Sequence, residues 1–206
     1  MLMLKVLASI AWEYRFYFPL NFDAAFLIGR EKIFVGIYRI AFYAHIVAGP
    51  AVVILSVGLM LTGGRSRFRK FHRLVGRSLV LIVLVAIVPS GFVMAQHALA
   101  GPVARIGFAL QALATAATAI AAIHFARAKK LSLHWRWAIR CFILLSSPLI
   151  FRVVGGTLLV FDLESSLTYT LNAWLSWLVP LGAFEVARVY GAMQLFSDTV
   201  DVRAKT

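Results

Sequence analysis

Long apolar stretches, separated by short polar connections, recur along this chain. A helix needs about twenty mostly apolar residues, rising about 1.5 Å each, to cross the hydrocarbon core of a bilayer. Five stretches qualify, at roughly residues 36–62, 78–100, 102–126, 138–161 and 169–190. The pattern predicts an all-α fold: a polytopic transmembrane helical bundle of about five spans occupying residues 34–192. Residues 1–33 are expected to lie at the outer side as an interfacial segment, with Trp12, Tyr14, Phe16, Tyr17 and Phe18 at the membrane boundary. Residues 193–206 form a polar tail. The opening MLMLKVLASIAW is too short to span and has no positive region ahead of its apolar run, so a cleaved signal peptide is not expected.

Within the third stretch, LQALATAATAIAAI is dense in small residues, which let helices approach closely. Pro89 and Pro148 fall inside spans, where neighbouring helices accommodate the kink.

Composition strengthens the membrane reading. The 206 residues are 62% hydrophobic and 14% charged, against about 45–50% and about 25% in a typical soluble domain. The mean hydropathy is +0.87. A soluble core of this size cannot absorb that excess. The net charge of +13, from 21 Lys and Arg against 8 Asp and Glu, raises the question of nucleic acid. No soluble module remains to present a groove, so no nucleic-acid partner is expected.

The distribution of charge accounts for the excess instead. Arg65, Arg67, Arg69, Lys70, Arg73 and Arg77 follow the first span, and Arg127, Lys129, Lys130, Arg136 and Arg140 follow the third. The opposite connections hold Arg105 alone, or Asp162 and Glu164. By the positive-inside rule the basic face and the tail, with Arg203 and Lys205, are cytoplasmic and the N-terminus is outside. The expected location is the bacterial cytoplasmic (inner) membrane, with anionic lipid headgroups held at the basic face and a larger membrane complex as a further partner. The single cysteine, Cys141, excludes an intramolecular disulfide and reads as a small apolar filler.

Charged groups at membrane depth are costly and mark sites. His45 and Arg152 lie at similar depths below the outer boundary and are expected to share a polar pocket. Glu185, near the inner end of the last span, is expected to pair with Arg140, with Arg73 or Arg77 as alternatives. A structural salt bridge suits such pairs as well as catalysis does. His45 and His97 fall toward the outside; His72, His124 and His134 fall at the inner ends. Histidines on facing helices hold b-type haem in helix bundles, which makes His45, or His72 with His134, candidate ligands. The difference in depth between His45 and His97 argues against that pair. His72 and His134, among arginines, suit anionic headgroups equally. Nucleotide-binding loops, HExxH, CxxC and GxSxG motifs are missing from the sequence, and no metal cluster or catalytic set is assigned.

The series Tyr43-Ala-His45-Ile-Val-Ala-Gly49-Pro50, Phe71-His72-Arg73-Leu-Val-Gly76-Arg77, His134-Trp-Arg-Trp137-Ala-Ile-Arg140, Arg152, Trp174 and Glu185 resembles the uncharacterised bacterial membrane family DUF2306. The resemblance runs over about residues 35 to 190. It implies a multi-pass architecture and a cytoplasmic motif of His72, Arg73, Arg77, His134 and Arg140, but no settled activity. Two departures stand out: the family's extra N-terminal span is reduced here to a short run, and Ala138 replaces the motif's Met. His97 and His124 fall off the motif positions.

Three functional readings follow, in this order: an integral membrane protein of unassigned biochemical function built around these polar sites; a b-type haem-binding redox subunit; and a transporter or sensor of a small molecule or lipid.

Overall fold

The computed structural model describes residue 8 and residues 12–24 and 26–191. The apolar run at the start, apart from residues 8 and 12, and the tail 193–206 lie outside the described residues. Five helices make up the bundle: α1 (Gly36–Thr62), α2 (Ser66–Ala95), α3 (Pro102–Arg127), α4 (Leu131–Val160) and α5 (Ser166–Val189). The first four are long and apolar enough to cross a membrane. The 24 residues of α5 extend roughly 36 Å, but Thr168, Thr170, Asn172, Ser176 and Glu185 dilute its apolar character. It packs along α3 and α4, while α1 packs on α2 and α2 on α3.

Local signals start the helices where the sequence places them. Gly101 takes a positive φ of 85°, a region open to glycine, and Pro102 follows as the first residue of α3, where its missing N–H costs nothing. Ser165 and Thr168 form a reciprocal capping box at the head of α5. Two helices begin earlier than their apolar stretches. The basic stretch expected to connect the first two spans is helical from Ser66, and α4 begins at Leu131 rather than near residue 138. Hydropathy marks only the lipid-facing part of a helix, whereas its backbone ladder continues into the interface, where arginine and lysine heads reach water.

The bundle is apolar outside and more polar within. Ile37, Ile40, Val47, Ile54 and Leu61 lie exposed along α1, while Ser56, Ser90, Thr115, Thr118, Ser147, Asn172 and Ser176 are buried. Lipid tails are as apolar as leucine, so hydrophobic burial does not drive such helices together; close packing and interhelical hydrogen bonds do. The small residues of α3 serve this. Ala104, Gly107, Ala112, Thr115, Thr118, Ala119 and Ala122 are its buried face. A Cβ on Gly107 would sit 2.9 Å from Trp174 Nε1, the atom that donates to Val103 O at 3.1 Å. Gly107→Ala should therefore displace the indole and destabilise the α3–α5 contact by about 1–3 kcal/mol. Thermal unfolding in detergent checks this, and an unchanged midpoint would show that the indole moves freely.

Pro50, Pro89, Pro148 and Pro180 each remove a helical N–H, and the fold supplies a donor to the carbonyls freed by Pro50 and Pro148. Pro50 frees Ile46 O in α1, and the Tyr14 hydroxyl donates to it. Pro148 frees Leu144 O in α4; Ser147 Oγ donates at 2.7 Å, with Gln111 Nε2 at 3.5 Å. Pro89 frees Val85 O in α2, where the helix widens into a π turn over Val83–Ile87 and the Val88 N–H reaches Val83 O.

The Tyr14 bond belongs to a cap formed by residues 12–35. Tyr17, Leu27, Phe34, Tyr38 and Phe42 are buried together there, Tyr43 Oη donates to Tyr17 O at 3.2 Å, and buried Arg30 donates to Tyr38 Oη and His97 O, each at 3.1 Å. The aromatic cluster expected at the membrane boundary is thus partly a core of its own, with Trp12 and Phe18 left exposed. Tyr14→Phe leaves Ile46 O without its donor. It should cost about 1–3 kcal/mol and raise amide exchange in residues 12–35. Unaltered exchange would mean the phenol does not hold the cap.

Candidate functional site

Two helices start at the basic end of the bundle, and each carries a histidine on its first α-helical turn. Arg69 opens the regular part of α2 and His72 follows it; Leu131 opens α4 and His134 follows it. Both imidazoles line a cavity of about 630 Å³. The ring centres are 6.3 Å apart and the planes stand at 85°.

Both rings are oriented by their Nδ1 atoms. His134 Nδ1 lies 2.8 Å from Ala122 O; a carbonyl only accepts, so this nitrogen carries the proton. His72 Nδ1 lies 3.4 Å from Thr62 Oγ1. The Thr62 hydroxyl donates to Gly58 O at 2.7 Å, which leaves its oxygen to accept from His72. Each Nε2 therefore keeps a lone pair. This is the arrangement by which an outer hydrogen bond sets the tautomer of a metal-binding imidazole.

The cavity is apolar at depth and cationic at its mouth. Leu59, Leu79, Ala119, Cys141 and Leu145 line the inner part, and Arg65, Arg69, Arg73, Arg77, Arg127 and Lys129 line the outer part. No Asp or Glu is among its lining residues. The first turns of α2 and α4 hold no acidic residue either, although helix N-termini favour anions. Arginines beside two such ends make the mouth strongly positive and suited to carboxylate or phosphate. Gly76, one turn beyond His72, also faces the cavity; only Leu59 Cδ2, at 3.9 Å, lies near the position of a Cβ. A larger side chain there would occupy cavity space.

The motif residues divide between two places. His72, Arg73, Arg77 and His134 line the cavity. Arg140 faces α5 instead, donating to Glu185 from Nε at 2.6 Å and from Nη2 at 3.0 Å. Arg188 Nε adds a third bond to that carboxylate at 3.0 Å. The Arg140 guanidinium also lies over the Trp137 ring at 4.6 Å and near Phe184 at 5.5 Å. The cluster locks α4 to α5 beside the cavity without lining it.

His45 and Arg152 lie toward the other end of the bundle. His45 Nδ1 is bonded to Ser90 Oγ at 2.9 Å. Arg152 is exposed on the isolated chain, and its charge acts on His45, Tyr14 and Tyr17. For the two tyrosines, which lie in the cap, burial pushes the phenol above its ordinary value while Arg152 pulls it back. Among the described residues both ion pairs belong to Glu185, and neither involves Arg152. Of the remaining histidines, His97 stacks edge-on against Tyr38 and His124 is exposed at the end of α3.

Sequence reasoning missed Thr62, the Ala122 carbonyl and Gly76 as parts of the cavity. It also missed Ser90 and Tyr14 around His45. Pro50 was the available signal for Tyr14, because an in-span proline requires a donor from elsewhere. Thr62 gave no comparable signal.

A family model described as a predicted membrane protein, DUF2306, matches residues 42–187. No curated protein and no solved structure matches the chain.

Proposed function

The chain belongs to DUF2306, a family of predicted membrane proteins, and on that premise we propose that its basic cavity holds a b-type haem and that the protein is an electron-transferring membrane subunit. The observation that carries this reading is the His72–His134 pair. Two imidazoles bound on opposite sides of one metal, at about 2 Å each, have ring centres roughly 6–7 Å apart. The pair stands at 6.3 Å with both Nδ1 atoms occupied, so both Nε2 lone pairs are available for iron.

The rest of the cavity fits the same group. Its volume of about 630 Å³ falls within the range of cofactor pockets, about 300–1,000 Å³. The apolar depth suits a macrocycle, and the arginines at the mouth suit two propionates. Haem supplies a one-electron couple when bound. His72 and His134 would be the residues that hold it, and ligation by both would suit electron transfer rather than oxygen chemistry. Thr62 and the Ala122 carbonyl hold the rings, and Leu79, Ala119 and Leu145 exclude water.

In this reading the basic end faces the cytoplasm of a bacterial inner membrane, as the positive-inside rule directs, and the arginines outside the cavity hold anionic headgroups. The test is the absorbance of the protein purified in mild detergent from cells supplied with a haem precursor. A Soret band that shifts on dithionite reduction is expected. A folded but colourless preparation that does not take up added haemin would overturn the proposal. Anionic phospholipid retained in that preparation would assign the cavity to lipid.

A further inference from the structure

Glycine inside a helix is unfavourable relative to alanine, because it gives up more backbone freedom on folding. A helical glycine therefore calls for a reason: a backbone angle that other residues avoid, or a neighbour too close for a Cβ. Gly107 has such a neighbour in Trp174, whose Nε1 lies 2.9 Å from the Cβ position. Gly76 has neither. It lies inside the regular helical stretch Arg69–Ile82 and is not among the glycines of positive φ. The atom nearest to a Cβ on it, Leu59 Cδ2, stands 3.9 Å away, an ordinary contact. What Gly76 does border is the basic cavity.

A second helix repeats the arrangement. Gly76 follows His72 by four residues, and Ala138 follows His134 by four. Residues four apart lie one turn apart on the same face of a helix, and all four of these line the cavity. Farther along, Leu79 and Val80 from α2 and Phe142 and Leu145 from α4 belong to the same wall. Each histidine is thus followed along its helix by one small residue and then by larger apolar ones. Protein interiors are otherwise close-packed, so a space of about 630 Å³ requires side-chain volume to be missing from its wall. Gly76 and Ala138 are two places where it is missing, each one turn from a candidate iron ligand.

Resting on the haem reading of this cavity, we propose that Gly76 and Ala138 determine what it admits: they leave, one turn beyond each histidine, the room that a flat macrocycle needs. A macrocycle extends from its metal in every in-plane direction, so the helix turns that follow its histidines have to stand clear of it. A leucine at either position would project into that room. An anionic headgroup held only by the arginines of the mouth has no such requirement.

Full-length protein purified without haem in mild detergent and titrated with haemin tests the assignment, with thermal unfolding of the same haem-free protein as a second reading. Gly76→Leu and Ala138→Leu should each weaken haemin binding at least roughly tenfold, as overpacking of a filled site does. Gly76→Ala should fall between wild type and Gly76→Leu. The haem-free midpoints should be unchanged or raised, because leucine fills open space and favours the helix more than glycine does. Gly156→Leu, in α4 outside the cavity wall and with nothing within 4 Å of its Cβ position, should bind haemin as the wild type does. A wild type that takes up no haemin would overturn the haem reading and this proposal with it. A wild type that binds, beside leucine variants of unchanged affinity, would overturn this proposal alone. If Gly76→Leu folds poorly, Gly76→Ala still reads the effect. A lowered haem-free midpoint in that alanine variant would make Gly76 a helix-packing position and overturn the proposal as well.

Discussion

His72→Ala and His134→Ala should each abolish the reducible six-coordinate Soret spectrum of the purified protein, while His124→Ala, outside the cavity, leaves it intact. With haem held as proposed, each cavity variant would remove one of its two histidine ligands, and haem retained on the other would show an altered band. Thr62→Val is the finer test. It keeps the volume of the side chain but deletes the acceptor that orients His72. Loss of such an outer partner typically costs about 10–100-fold in metal affinity. Haem occupancy should fall accordingly, with the remaining fraction spectrally normal. Unaltered spectra in both alanine variants would place any haem elsewhere and remove the proposed function.

The second large effect concerns the lock between α4 and α5. Glu185→Gln leaves Arg140 without its charge partner, and Arg140→Gln leaves Glu185 with Arg188 alone. An exposed pair in water would contribute about 0–1 kcal/mol. Here the Arg140 side chain is only 16% exposed and the bond is bidentate, so a larger coupling is expected. A double-mutant cycle of thermal stability in detergent should give about 1–3 kcal/mol. Additive losses would show that the carboxylate contributes through Arg188 rather than Arg140. Because the cluster borders the cavity without lining it, the Soret band should persist in folded Glu185→Gln protein.

How legible each feature was depends on its range. The apolar stretches and the alternation of basic and near-neutral connections are local, and they marked the helices and the common end of their basic residues. The starts of α2 and α4 were less legible, because arginine and lysine in a first turn read as loop by hydropathy although the backbone there is already helical. The N-terminal aromatics read as an interfacial belt; the structure folds Tyr17, Phe34 and Phe42 into a packed cap. Which charges meet was partly legible from depth. Arg140 and Glu185 sit at one level on neighbouring helices and are joined, whereas nothing in the sequence showed that Arg152 stays outside the ion pairs of the described residues.

By itself the sequence determined that this is a helical membrane protein with a basic end, since transfer of apolar residues into lipid and the charge of loop residues are properties of each segment alone. Only the tertiary structure decided that His72 and His134 come together at one cavity while Arg140, from the same motif, turns away to Glu185. The physical reason is rotational. Hydropathy gives a residue's depth along a helix but not the direction of its side chain about the axis. That direction follows from the close packing of small residues such as those of α3, and from hydrogen bonds such as those of Thr62 and the Ala122 carbonyl.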